Sequence, residues 1–150
     1  MKRTRFITTV CMAFTLFLIP VLAFLAFTLP ALLERYFELT AAYNATILIE
    51  RILIAFYVCL PAGFAALILL AKILRNLQKE RLFVRQNVLC FRWLSICALY
   101  VGVACAATGI VYLPLLLIAV TALFIGLLLQ VLVRLLRTAR EIAEENSLTV

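Results

Sequence analysis

The 150-residue sequence contains no histidine and only seven acidic residues, against fourteen lysines and arginines. Without histidine, the chain can build neither a histidine-ligated metal site nor a histidine base for a nucleophile. Glycine-rich phosphate-binding loops and CxxC pairs are absent as well. The sequence therefore offers no catalytic residues, and we expect no enzymatic activity, no cofactor and no metal site.

Charge of either sign is missing from three long stretches, residues 6–33, 52–71 and 93–133. Hydrophobic residues make up 67% of the chain and the mean hydropathy is +1.19, whereas soluble domains are typically about 45–50% apolar. A helix needs roughly 20 apolar residues to cross the hydrocarbon. The last stretch is long enough for two crossings, so the sequence predicts an all-α membrane protein with four transmembrane helices.

Turn and kink residues set the predicted boundaries of a single domain over residues 1–150. Proline removes a backbone donor, so Pro20 and Pro30 predict a kink and then the end of the first span. Thr108-Gly109 and Pro114 indicate the turn between the last two spans. The predicted spans cover about residues 6–33, 52–71, 93–109 and 115–133, with a loop at 72–92 and a tail at 134–150.

Small residues recur every four positions in the third span, at Ala98, Gly102 and Ala106. This spacing lets helix backbones approach closely in lipid, and we expect it to pack span three on span two. The five cysteines lie in or beside apolar runs, where they are expected to act as small hydrophobic residues.

The basic residues indicate the orientation of the spans. Three precede the first span, six lie between residues 72 and 92, and three follow the fourth span, which places twelve of the fourteen on one side. Cytoplasmic loops carry an excess of lysine and arginine. We therefore expect both termini, the central loop and the tail to be cytoplasmic.

Two cytoplasmic features follow the spans. Basic residues near the ends of the apolar runs are expected to contact lipid phosphates; they are Lys72, Arg75, Lys79, Arg134 and Arg137. The tail is expected to extend the fourth helix to Asn146 on an apolar stripe, with Ser147 to Val150 as an extended end. Acidic residues at the end of this helix point away from the membrane, where lipid gives no reason for them.

Two segments resemble a known family. Residues 83–92, FVRQNVLCFR, are similar to a Phe-x-x-x-Asn-x-x-x-Leu-Arg motif, and residues 143–150, AEENSLTV, are similar to a closing Glu-Asn-Asp-Leu-Thr-Ile/Val motif. Both motifs occur in an uncharacterised family of small bacterial four-helix membrane proteins, filed as a domain of unknown function. The resemblance implies a bacterial inner-membrane protein. Genes of this family often neighbour a Cro/C1-type helix-turn-helix regulator, which implies such a regulator as a partner.

The residues of these motifs have a structural interpretation as well as a binding one. Asn87 suits the N-cap of the third helix, Phe83 could pack on the membrane surface, and Arg92 could reach lipid phosphate. The candidate partner-binding residues are Phe83, Asn87, Arg92, Glu141, Glu144, Glu145, Asn146 and Leu148.

Two functions remain open from the sequence. The first is a regulatory membrane protein that binds the helix-turn-helix regulator through its basic loop and tail, without binding nucleic acid itself. The second is an accessory subunit of a transporter or channel, whose bent spans would assemble with a larger partner or with copies of itself.

Overall fold

A computed structural model of the chain describes residues 2–40, 45–79, 85–109 and 113–148. Helices account for nearly all of these residues: α1 (Lys2–Thr40), α2 (Ala45–Gln78), α3 (Arg85–Gly109) and α4 (Leu113–Leu148). Each of the four is long and apolar enough to cross a membrane. The protein is therefore an all-helical, multi-pass membrane protein, as its uncharged stretches predict.

The helices extend well beyond the apolar spans. α1 contains both Pro20 and Pro30 and continues to Thr40, so the expectation that Pro30 ends the first helix was wrong. Membrane helices tolerate an internal proline because neighbouring groups satisfy the freed carbonyl. α2 continues to Gln78 and α3 begins at Arg85, so much of the expected loop at 72–92 is helical.

The end of α3 and the start of α4 lie where the turn residues indicate. α3 ends at Gly109 and α4 begins at Leu113, which places Pro114 at the second residue, where its missing N–H costs no helical hydrogen bond. At its other end α4 includes Ser147 and Leu148. The expectation of an extended segment from Ser147 was therefore wrong for these two residues, because the helix runs on through them.

Neighbouring helices pack antiparallel in chain order, α1 on α2, α2 on α3 and α3 on α4. The Tyr57 hydroxyl donates a 2.9 Å hydrogen bond to the Ala26 carbonyl, joining the middle parts of α1 and α2. Within the described ranges, no close backbone approach joins α1 to α3 or α4. The bundle is thus an open row whose two outer helices each keep a face without a partner helix.

Glycines bring α3 and α4 into close contact. A Cβ built on Gly102 would lie 2.6 Å from Cγ of Leu123, and one built on Gly126 would lie 2.8 Å from Cγ of Leu99. Each helix thus presents a glycine to a leucine of the other. The small residue Gly102 therefore packs against the fourth helix, which corrects the expectation that it faces the second.

A buried cluster from three helices lies near the turn between α3 and α4. It contains Ala55 from α2, Cys105 from α3, and Leu115 and Ala119 from α4, each no more than 9% exposed. The Sγ atom of Cys59 lies 3.9 Å from that of Cys105 at its edge. These two thiols fill space between α2 and α3, as expected for cysteines that act as small hydrophobic residues.

Large apolar side chains cover the outer faces of the row. Phe27 is 87% exposed on α1, and Val103 and Leu117 are 63% and 67% exposed on α3 and α4. A water-soluble monomer rarely exposes a contiguous apolar surface of this kind. The outer faces are therefore suited to lipid hydrocarbon.

Candidate polar site at the basic end of the bundle

Antiparallel packing gathers the basic residues of three helices at one end of the bundle. We call this the basic end; it comprises the C-terminal part of α2, the N-terminal part of α3 and the C-terminal part of α4. Its described basic residues are Lys72, Arg75, Lys79, Arg85, Arg92, Arg134, Arg137 and Arg140. All are exposed except Arg140, which is partly exposed. Residues far apart in sequence thus form a single charged surface.

A pair of asparagines joins α2 to α3 at the basic end. Nδ2 of Asn76 donates a 2.7 Å hydrogen bond to Oδ1 of Asn87, and Asn87 is only 2% exposed. Because α3 already begins at Arg85, Asn87 is the third residue of the helix. The expectation that it caps the third helix was therefore wrong: its side-chain oxygen accepts a bond from the neighbouring helix.

A second buried hydrogen bond joins α3 to α4. The Ser95 hydroxyl donates to the Gly126 carbonyl over 2.8 Å, and Ser95 is 1% exposed. Sequence reasoning did not single out this contact; a serine inside an otherwise apolar stretch is the signal that could have indicated it.

The N-terminal part of α1 also reaches the basic end. Nε2 of Gln78, the last residue of α2, lies 3.4 Å from Oγ1 of Thr9 in a long hydrogen bond. Thr8 is 6% exposed and Thr15, 3% exposed, bonds the Cys11 carbonyl of its own helix. The Gln78–Thr9 contact therefore places the start of α1 beside the end of α2.

A cavity of about 490 Å³ opens between α3 and α4 at the basic end. Three arginines line it, Arg92 from α3 and Arg134 and Arg137 from α4, together with the polar side chains of Ser95 and Gln130. The remaining wall is apolar and consists of Val88, Leu89, Ile96 and Val133. No carboxylate belongs to this lining as far as the structure describes it. We refer to it below as the arginine cavity.

The structure separates the predicted partner-binding residues. Asn87 is buried, Arg92 lines the arginine cavity, and Glu141 is exposed on α4. Phe83 lies outside the described residues. The last four belong to α4 but their side chains lie outside the described part of the chain; they are Glu144, Glu145, Asn146 and Leu148.

The predicted lipid contacts divide into two groups. Lys72 and Arg75 are exposed on α2 and line no part of the arginine cavity, whereas Arg134 and Arg137 line it. Lys79 is exposed in the turn that follows α2. Among the residues that the structure describes, no three of His, Cys, Asp and Glu come together in a group that could hold a metal ion.

Cys90 lies in α3 two residues before Arg92, at the basic end. Its side chain is 7% exposed in α3. Burial restricts access of a modifying enzyme, so the structure favours a packing role for this thiol.

Comparison with known proteins gives one relationship. No curated protein and no solved structure matches the chain. The model of the family described as "Protein of unknown function (DUF2975)" matches residues 34–150, which include all of α2, α3 and α4. The chain, an integral membrane protein by its helices, therefore belongs to the DUF2975 family.

Proposed function

We propose that the protein is a non-enzymatic regulatory protein of a bacterial inner membrane. In this proposal both termini and the basic end face the cytoplasm, and the basic end with the end of α4 binds a helix-turn-helix transcription regulator. The expectation of that class of partner rests on the family resemblance. The geometry contributes the surface on which such a partner could be held.

The orientation is supported by the charge of the basic end. Eight of the fourteen basic residues lie at this end, seven on the described parts of α2, α3 and α4 and Lys79 in the turn after α2, and the start of α1 lies beside them. The turn between α3 and α4, at the opposite end, contains no basic residue. The positive-inside rule then favours a cytoplasmic basic end.

The extent of α4 is the observation that carries the proposal. The close approaches of Gly102 to Leu123 and of Leu99 to Gly126 fix the register of the antiparallel pair, and in that register the first residue of α3, Arg85, lies near residue 140. α4 continues to Leu148, so roughly two helical turns extend beyond α3. Among the described helices, α4 makes close backbone contacts with α3 alone.

The charge on this extension suits a DNA-binding partner. Glu141 is exposed, and Glu144 and Glu145 follow it along the same helix. A helix-turn-helix protein carries basic residues for phosphate contacts. An acidic helix could occupy that basic surface and compete with DNA, so binding at the membrane would keep the regulator from its operator.

The test is a pull-down of the tagged protein from native membranes in mild detergent, with mass spectrometry of what is recovered. We expect a small helix-turn-helix protein with the full chain and none with a chain truncated after Arg140. An Arg35→Gln/Arg51→Gln variant, which removes two exposed basic residues at the opposite end and leaves the basic end and α4 intact, should recover the regulator normally. Recovery of transporter subunits alone, unaffected by truncation, would refute the proposal and favour an accessory transport role.

A further inference from the structure

The arginine cavity brings three positive charges together without a negative one. Arg92, Arg134 and Arg137 line it from two helices, and no acidic side chain joins them in the described lining. Guanidinium groups that share a cavity repel one another, and the repulsion strengthens where water is partly excluded. An anion in the cavity would relieve this repulsion.

The innermost residues of the lining are uncharged. One turn from Arg134 towards the middle of α4 lies Gln130, and one turn from Arg92 towards the middle of α3 lies Ile96. A ligand that enters from the basic end thus passes the guanidinium groups before it reaches the Gln130 amide and Ile96. A phospholipid has this order of groups: phosphate, glycerol esters and acyl chain.

We propose that the arginine cavity binds the phosphate of an acidic phospholipid from the leaflet at the basic end. Arginine presents paired N–H donors that match phosphate oxygens, and a basic pocket between membrane helices is a known type of headgroup site. In this arrangement the Gln130 amide lies at the depth of the ester groups, Val133 lies beside the phosphate and Ile96 contacts the start of an acyl chain. Isolated arginines at a span end would contact passing headgroups; this cavity would retain one lipid.

α2 supplies a matched comparison within the same molecule. Lys72 and Arg75 are exposed at the basic end but do not line the arginine cavity. If lipid binding depended only on total positive charge, removing these two residues would weaken it as much as removing residues of the cavity. If the cavity is the site, the two sets of variants will differ.

The test is native mass spectrometry of the delipidated full-length protein, titrated with phosphatidylglycerol, with cardiolipin and with phosphatidylcholine. We expect retention of the two acidic lipids over phosphatidylcholine. Binding should fall at least about tenfold in the Arg92→Gln/Arg134→Gln double variant and remain unchanged in Lys72→Gln/Arg75→Gln. Equal loss in both variants, or no preference for acidic lipid, would overturn the proposal.

Two further arms keep the result interpretable. Val133→Phe places a ring in the wall without changing charge, and it should also reduce retention of acidic lipid; unaltered binding in this variant would overturn the cavity as the site. Glycerol 3-phosphate distinguishes a lipid from a free phosphate ester. Displacement of bound lipid by millimolar glycerol 3-phosphate would identify a soluble anion as the ligand and overturn the assignment to lipid.

Discussion

Polar side chains within membrane helices are costly unless they find partners, and the two most buried ones here bond across helix boundaries. Asn87 accepts from Asn76, and Ser95 donates to the Gly126 carbonyl. In lipid, interhelical hydrogen bonds contribute about 0.6 kcal/mol on average and up to about 1.7 kcal/mol. These two bonds therefore add little to the free energy of unfolding. Their main effect is to determine which faces of α2, α3 and α4 pack together.

The asparagine pair gives a prediction at this scale. Replacing Asn76 or Asn87 by alanine removes the hydrogen bond between them, so each single change should lower the free energy of unfolding, and the double change should cost less than the sum of the two. We expect a coupling energy of about 1 kcal/mol in a double-mutant cycle measured by denaturation in detergent. Gln86→Ala, at an exposed neighbouring position, is the control. Additive effects would show that the two amides do not interact.

Residue types alone could not predict these contacts. The sequence indicates that Asn87 stands near the start of a helix, and an asparagine there is most often a cap. Its actual partner depends on where α3 begins and on the register of α2 beside it. Apolar stretches with similar composition on every face indicate neither the start of α3 nor the register of α2 beside it.

Among the helices, α3 and α4 approach each other closely at two reciprocal glycine–leucine contacts. Gly102 faces Leu123 and Gly126 faces Leu99, and in both cases the backbone nitrogen of the leucine lies within 3.2 Å of the position that a Cβ would take. A methyl group there meets backbone as well as a movable side chain. The two helices would have to separate to accept it.

These contacts predict whether alanine at the two glycines stabilises or destabilises the protein. Alanine normally favours a helix over glycine by about 1 kcal/mol, but Gly102→Ala and Gly126→Ala should destabilise the protein by about 1–3 kcal/mol because of overpacking. Gly63→Ala is the matched control, since its Cβ would meet only the Leu22 side chain at 3.3 Å. Thermal unfolding in detergent measures all three. Stabilisation by Gly102→Ala would contradict the close packing of α3 on α4.

The number of helices and most of their positions follow from the sequence, because charge-free stretches of sufficient length leave few alternatives. The sequence does not indicate which neighbouring helix each face packs against. Gly102 was expected to face the second helix and packs on the fourth, since small residues indicate close approach without naming the neighbour. The helical extensions at Thr40, Gln78 and Leu148 were harder to predict, because they depend on backbone continuity through charged segments.

At the scale of the whole molecule, the open row of helices places nearly all charge at its two ends. The basic end holds arginines from α3 and α4, Lys72 and Arg75 from α2, and Lys79 from the turn after α2, and the arginine cavity lies within it. α4 extends from this same end. Binding of lipid and binding of a protein partner would thus take place on adjacent parts of one surface.

The orientation can be tested with single cysteines introduced after the five native ones are replaced. Thr138 is exposed at the basic end and Leu113 is 70% exposed at the start of α4, at the other end. A membrane-impermeant maleimide should label Leu113→Cys in intact bacterial cells and Thr138→Cys only after permeabilisation. The reverse pattern would place the basic end outside, contrary to the proposed topology.

Site-specific photocrosslinking in living cells tests directly whether the basic end binds a helix-turn-helix regulator. A photoreactive amino acid would replace the exposed Gln86 or Glu141 at the basic end, and, as controls, the exposed Leu117 on the lipid face or Glu50 near the start of α2. The account predicts that the two basic-end positions capture a helix-turn-helix protein and the two controls do not. Capture of that protein from none of the positions, or equally from all four, would contradict it.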